Sequence, residues 1–303
     1  MKFELNILGC GSALPTVQHY SASQVLNVRD KLFMIDVGEG AQLQFRRMGF
    51  KFNRLQHIFI SHLHGDHCFG LFGLLSTFSM LGRTGELVIH AYGELENVLR
   101  PMLDYFCREM LYQVRINPIS PWKNELIYED RSVKVSTIPL KHSAPTCGFL
   151  FEEKKQDAHI IREMIDFYQI PVKEIGKIKA GGDYVTPDGE TIPHERLTTP
   201  ADESRKYAYC SDTAYCEKIL PIIEGVDLLF HEATFTQEDL ARAKETSHSS
   251  AAQAAEIAKK ASVKKLLIGH YSARYNNITP LLKEAQSVFP ETIAAYEGLR
   301  LNV

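Results

Sequence analysis

Short apolar runs alternate along this chain with stretches whose apolar positions recur every three or four residues. The runs at 3–8 (FELNIL), 32–36, 57–61, 87–91, 133–138, 207–210, 226–230 and 265–269 predict strands. Helical spacing predicts helices over 68–81, 94–107, 156–169, 250–262 and 279–288. The helix over 250–262 has the most local support: Ser249 or Ser250 can cap it, alanines fill it, and Lys259 and Lys260 sit near its negative end. Strands alternating with helices predict a layered α/β protein. Residues 152–194 break the pattern. They are charged, with a Gly181-Gly182 pair and a Pro187-Asp188-Gly189 turn, and predict an inserted arm too polar to pack as core.

Composition narrows the class. A chain of 303 residues with 45% hydrophobic and 23% charged side chains can bury a full core. No apolar run approaches the roughly 20 residues of a membrane span, and Met1-Lys2-Phe3-Glu4-Leu5 leads straight into a strand, so the expectation is a cytoplasmic protein with no membrane partner. The six cysteines form no C-x-x-C pair, which argues against a zinc ribbon or a disulfide framework and for reduced, mostly buried thiols. A net charge of −3 is not that of a basic nucleic-acid protein, so any RNA would be held by a local basic patch.

The chemistry begins at Ser61-His62-Leu63-His64-Gly65-Asp66-His67, after an apolar strand and before an apolar helix. Three imidazoles and a carboxylate on one tight loop, with Gly65 letting it bend, can face two neighbouring cations, and burying them unpaired would be costly. His142, Asp212 and His270 each follow a predicted strand, at the edge where open α/β sheets assemble their sites. An imidazole and carboxylate set without thiolate suits zinc, with manganese or iron also compatible. Gly9-Cys10-Gly11-Ser12 is a fragment of a dinucleotide fingerprint, but Pro15 stands where a helix should open.

H-x-H-x-D-H after a strand resembles the signature of the metallo-β-lactamase fold. The form SHLHGDHCFGL, with Asp36-Val37-Gly38-Glu39-Gly40-Ala41-Gln42 upstream, resembles the RNase Z family. Ser211-Asp212-Thr213, His231-Glu232-Ala233-Thr234-Phe235, Ser247-His248-Ser249-Ser250, Gly269-His270-Tyr271-Ser272-Ala273-Arg274-Tyr275 and Glu297-Gly298 follow in the family's order. The resemblance implies one α/β domain over 1–303, a four-layer αββα sandwich of two similar halves. Residues 152–194 would be its flexible arm and tRNA-binding exosite. It implies a zinc-dependent endoribonuclease that cuts the 3′ trailer from precursor tRNA, leaving a tRNA 3′-hydroxyl and a trailer 5′-phosphate, and it implies a homodimer. The competing function is a general metallo-phosphodiesterase acting on small phosphodiesters; a thioesterase, a lactamase or a metal-binding scaffold would leave more of these motifs without a use.

The same resemblance implies the wiring. His62, His64 and His142 would hold one Zn2+, Asp66, His67 and His270 the other, with Asp212 bridging and Asp66 also accepting a proton from water. His248 and Glu232 would act together without binding metal, His248 protonating the leaving oxygen and Glu232 holding its ring; otherwise Glu232 backs a metal ligand and His248 merely bonds near a helix start. Arg274 would either grip a substrate phosphate or be a surface arginine. Lys154, Lys155, Lys173, Lys177 and Lys179 give the arm a cationic face that reaches RNA or is simply solvated. The stretch Ile170–Gly176 lacks the Gly-Pro element that many members carry in the arm.

Overall fold

A computed structural model describes residues 2–303, which form two compact units: one runs to Glu152 and resumes at Arg205–Val303, and the other is Glu153–Ser204. In the larger unit the strands Arg300–Asn302, Phe3–Gly9, Ser23–Val28, Lys31–Val37, Leu55–Phe59, Leu87–Ala91 and Val114–Pro118 make one seven-stranded sheet, in that order. Thr292–Ala294, Leu266–Gly269, Leu228–Glu232, Lys206–Cys210, Cys147–Glu153, Val133–Pro139 and Leu126–Glu129 make the second. Each sheet has a parallel half: Lys31–Val37 through Val114–Pro118 in the first, Lys206–Cys210 through Thr292–Ala294 in the second.

The sheets face one another across a core that joins Phe3, Phe33 and Phe59 of the first to Phe149, Phe151 and Tyr207 of the second. Helix Gly65–Met80 and helix Leu95–Phe106 cover the outside of the first through Leu71, Leu75, Leu99 and Leu103. Helices Ala251–Lys260 and Thr279–Val288 cover the second through Ala254, Ala258 and Leu281. This is the expected αββα order. Both faces of each sheet are buried, so its central strands read as continuous apolar runs.

Several boundaries differ from the sequence pattern. Ser23–Val28 was not predicted because polar Ser23, Gln24 and Asn27 interrupt it, yet all are buried. Their groups are satisfied locally: Ser23 Oγ donates to the Asp36 carbonyl at 3.0 Å and the Tyr207 hydroxyl to Gln24 Oε1. The strand predicted over 57–61 ends at Phe59, and the next helix starts at Gly65 instead of 68, so Asp66 and His67 stand in its first turn and not on a loop. Both still reach the same point, because side chains of a first turn tilt back past the helix N-terminus. Gly38 and Gly70 set this closeness: a Cβ on Gly70 would lie 2.0 Å from the Gly38 carbonyl oxygen, and one on Gly38 2.4 Å from that of Asp66.

Helix Ala251–Lys260 begins at Ser250 with a reciprocal Ser250–Gln253 capping box and ends with Lys259 and Lys260. The six cysteines are free, with Cys10, Cys147 and Cys210 buried.

The smaller unit extends ten residues past the expected 194. It has a core of its own, Ile170, Ile178, Tyr184, Ile192 and Leu197, so its charged composition conceals a packed centre. The helix expected over 156–169 is confined to Arg162–Tyr168, preceded by the short strand His159–Ile160, which pairs with Thr198–Thr199.

Candidate metal centre and its surroundings

Loops that follow strands of both sheets, with the first turn of helix Gly65–Met80, converge on two groups of side chains, His62, His64, His142 and Asp212, and Asp66, His67, Asp212 and His270. Asp212 belongs to both. Its Oδ1 lies 3.2 Å from His67 Nε2 and 3.1 Å from His270 Nε2, and its Oδ2 lies 3.5 Å from His62 Nε2 and 3.6 Å from His142 Nε2.

The hydrogen bonds behind these rings decide what their front atoms are. His67 Nδ1 donates to Asp36 Oδ2 at 2.8 Å and His142 Nδ1 to the Ser247 carbonyl at 3.0 Å. Ser61 Oγ gives its proton to Asp36 Oδ2, so it accepts from His62 Nδ1 at 3.0 Å. Thr234 Oγ1 likewise gives its proton to Glu232 Oε2 and accepts from His270 Nδ1 at 3.0 Å. Each of these four rings therefore commits an Nδ1 proton to the partner behind it and turns its Nε2 inward, the atom a cation would take. These nitrogens crowd one another and His64 Nδ1: His62 Nε2 to His64 Nδ1 is 3.0 Å, His67 Nε2 to His270 Nε2 3.2 Å and His142 Nε2 to His64 Nδ1 3.3 Å. Such spacings are those between ligands around a cation bound at about 2.0–2.1 Å. The donor set fits divalent cations, and this is its chemical sense.

Electrostatics divide the rings. Burial pushes His62 down to about 4, and it also lowers His142, so both rings are neutral donors. Burial opposes charge on His67 too, but Asp212 and Asp36 outweigh it and push that ring well above the usual imidazole range. Its Nε2 then holds a second proton toward Asp212, at a strongly negative point where a bound cation would take that proton's place. Burial would raise Asp66 and Asp212; the neighbouring imidazoles, His270 and His67 foremost, hold both well below the carboxylate range.

His248 stands beside the cluster, its ring 5.0 Å from that of His142 and 5.4 Å from that of His270. Its Nδ1 donates to Glu232 Oε1 at 2.7 Å. Glu232 is fully buried and accepts three further bonds, from the amides of Thr213 and Thr234 and the Thr234 hydroxyl. Burial pulls His248 down, but Glu232 overcomes it and raises the ring to about 9, while His248 holds Glu232 at about 2 against its own burial. Glu232 thus contacts His248 directly and reaches His270 through Thr234. His231, its neighbour, points elsewhere and bonds the Glu232 carbonyl.

A cavity of about 280 Å³ opens over the cluster, lined by Ala13, His64, Asp66, His142, His248 and His270 among others. The Ala13 amide donates to Asp66 Oδ2 at 2.7 Å, which is the use this fold makes of the glycine turn after the first strand. Arg274 is placed elsewhere. Its guanidinium pairs with Asp239 at 2.8 Å and lies 5.1 Å from the Phe235 ring centroid, so that carboxylate and not the cavity claims its charge.

The sequence pattern gave no role to Asp36, Ser61 or Thr234, yet each fixes a ring. The available signal was an aspartate closing the apolar run LFMID, a carboxylate that burial would penalise without several donors. Strain gathers here as well: Ala13, Asp36, Ser247 and His270, all non-glycine residues at φ between 52° and 61°, surround the centre.

Comparison with known proteins completes the identification. A family model described as anti-Pycsar protein Apyc1 matches residues 3–168, and the β-lactamase superfamily domain model matches residues 196–271. Ribonuclease Z of Parabacteroides distasonis is 63% identical over 301 residues, covering 99% of each chain, and that of Porphyromonas gingivalis is 57% identical, also covering 99% of each. The human short-form tRNase Z superposes with a TM-score of 0.71 at 22% identity, covering 99% of both chains. A long-form RNase Z from yeast superposes at 0.68 and 18% identity, covering 99% of this chain and 42% of that one. With two such relatives matched end to end and the paired-sheet fold shared with solved tRNases, this chain belongs to the ribonuclease Z family, within the β-lactamase superfamily.

Proposed function

We propose that the chain is a zinc-dependent endoribonuclease that removes the 3′ trailer from precursor tRNA, leaving a 3′-hydroxyl on the tRNA and a 5′-phosphate on the trailer. Family membership supports an endoribonuclease acting on tRNA. The observation that carries the chemistry is the set of inward Nε2 atoms around Asp212, each ring fixed by an Nδ1 proton given to a partner behind it. His62, His64 and His142 would hold one cation, Asp66, His67 and His270 a second, and Asp212 both. When bound, such cations supply Lewis-acid polarisation of the phosphate and acidify water.

The chain's own residues move the protons. Asp66, whose Oδ2 is fixed by the Ala13 amide and faces His67 and His270, accepts the proton of the attacking water on its second oxygen, Oδ1. His248 carries a proton on each nitrogen below about pH 9, one committed to Glu232, the other free for the departing 3′ oxygen of the tRNA. The unit 153–204 serves as the tRNA-docking arm, its helix Val172–Lys179 carrying Lys173, Lys177 and Lys179, and the working form is a homodimer.

Incubation with a precursor tRNA bearing a 3′ trailer, beside bis-p-nitrophenyl phosphate and a thioester, tests this. Cleavage at the trailer junction that a chelator abolishes and zinc restores is the expected result. Hydrolysis of the small diester with the precursor left intact would favour the general phosphodiesterase instead.

A further inference from the structure

A second and larger cavity, of about 860 Å³, shares His142 and Ser143 with the metal centre and runs outward from them. Pro121, Trp122, Tyr215 and Lys218 line it, with Lys141 next to His142 in the chain. Trp122 is the chain's single tryptophan and is 64% exposed, although a ring of that size is normally mostly covered. Tyr92 packs edge-on against it at 5.8 Å, which supports the indole without covering it. Among the described residues, the one carboxylate in this lining is Glu217, and Lys260 pairs with it at 2.6 Å. Lys141 and Lys218, both exposed, leave the groove net positive.

We propose that this groove binds the first unpaired nucleotides of the RNA trailer as they leave the metal centre, one base stacking on Trp122 and the backbone phosphates meeting Lys141 and Lys218. The proposal rests on the RNA-cleaving function above. Continuity with His142 fixes where the strand enters, and the lysines match its charge. The aromatic wall selects single strand over the tRNA acceptor stem, because bases paired in a duplex offer no free face to stack. Stacking is tolerant of sequence, so the groove would prefer trailers that have bases without preferring particular ones.

The test uses the metal-loaded enzyme and two precursor tRNAs alike in length, one with an ordinary trailer and one whose trailer nucleotides are abasic. Wild type should show a KM roughly 5- to 100-fold higher for the abasic trailer, the range expected from losing one base–aromatic stack, with kcat little changed. Trp122→Ala should raise KM to the same level on the ordinary trailer and lose nothing more on the abasic one, and Trp122→Phe should recover most of the difference. Equal abasic penalties in wild type and Trp122→Ala would overturn the proposal. So would a parallel loss on bis-p-nitrophenyl phosphate, which would show a structural role, or an altered oligomeric state, which would give the groove to a second copy of the chain. Wild-type enzyme that hydrolyses the small diester yet cuts no precursor would instead overturn the RNA-cleaving function itself.

Discussion

Two buried carboxylates, Asp36 at the end of a strand in the first sheet and Glu232 at the end of one in the second, have nearly the same wiring and different outputs. Asp36 accepts from the Ser61 amide, the Ser61 hydroxyl, the Tyr209 hydroxyl and His67, so it turns two rings, His67 and through Ser61 His62, toward the centre. Glu232 accepts from two amides, the Thr234 hydroxyl and His248, so it turns one ring inward, His270, and holds the other apart with a proton on it. A carboxylate is thus a neutral device; what it yields depends on where the far nitrogen of its histidine points. Under the proposed function, a nitrogen that faces other ligand atoms would hold a cation. One that faces an open cavity would serve as an acid.

Breaking each carboxylate's contacts should separate these outputs. The largest effect is expected on the Glu232 side: His248→Ala should lower kcat by roughly 10²- to 10⁴-fold with zinc content unchanged by elemental analysis. Loss of zinc in that variant would return His248 to the ligand set. On the other side, Asp36→Asn should lower metal affinity by about 10- to 100-fold, read by competition with a chromogenic chelator, because two ligand rings lose their acceptor together. A variant that keeps wild-type affinity would show that His67 and His62 hold their tautomers without Asp36.

The pH profile sharpens the same contrast. His248 donates only when protonated, and Glu232 has raised it to about 9, so the rate should fall as pH rises through about 9. Glu232→Gln removes the largest raising charge and leaves burial, which lowers the ring, opposed only by the weaker pull of Asp212 and Asp66, so the alkaline fall should move to lower pH. An unmoved limb would mean that another group sets it.

A third histidine pair supplies the structural control and the smallest effect. Asn117 Nδ2 donates to His90 Nδ1 at 2.9 Å, which leaves His90 Nε2 to donate to His57 Nδ1 at 3.1 Å, and Phe59 stacks on His90 at 4.5 Å. Here the lone pairs meet donors and no carboxylate converges on them, so the pair is packing. Burial pushes His57 down to about 4 and His90 to about 3. The unfolded chain then binds more protons below about 6.5, so folded stability should decline as pH falls from about 6.5 to about 4, by on the order of 2 kcal/mol for His57. His57→Phe should flatten that part of a urea-denaturation profile, and an unchanged slope would contradict it.

The same contrast explains what could be read without coordinates. His62, His64, Asp66 and His67 were legible because four polar donors crowd six residues, and His142, Asp212 and His270 because each interrupts the end of an apolar strand. Asp36, Ser61 and Thr234 were not given roles, since a residue that acts by bonding the back of another ring has no spacing of its own in the chain. Arg274 was legible only as an arginine near His270; its partner Asp239 lies 35 residues away. The fold's layers followed from periodicity, whereas Ser23–Val28 was hidden by polar side chains whose partners lie on other strands, and the core of 153–204 by isoleucines spread thinly among charges.

The central claim is that His248 gives its proton to the departing 3′ oxygen while the Asp36 side serves the cations. A precursor tRNA with sulfur in place of that 3′ oxygen tests it most directly, because a thiolate leaves without being protonated. Single-turnover cleavage of this substrate by zinc-loaded His248→Ala should run close to the wild-type rate, although the same variant is slowed by roughly 10²-fold or more on the oxygen substrate. An equal slowing on both substrates would contradict proton donation by His248.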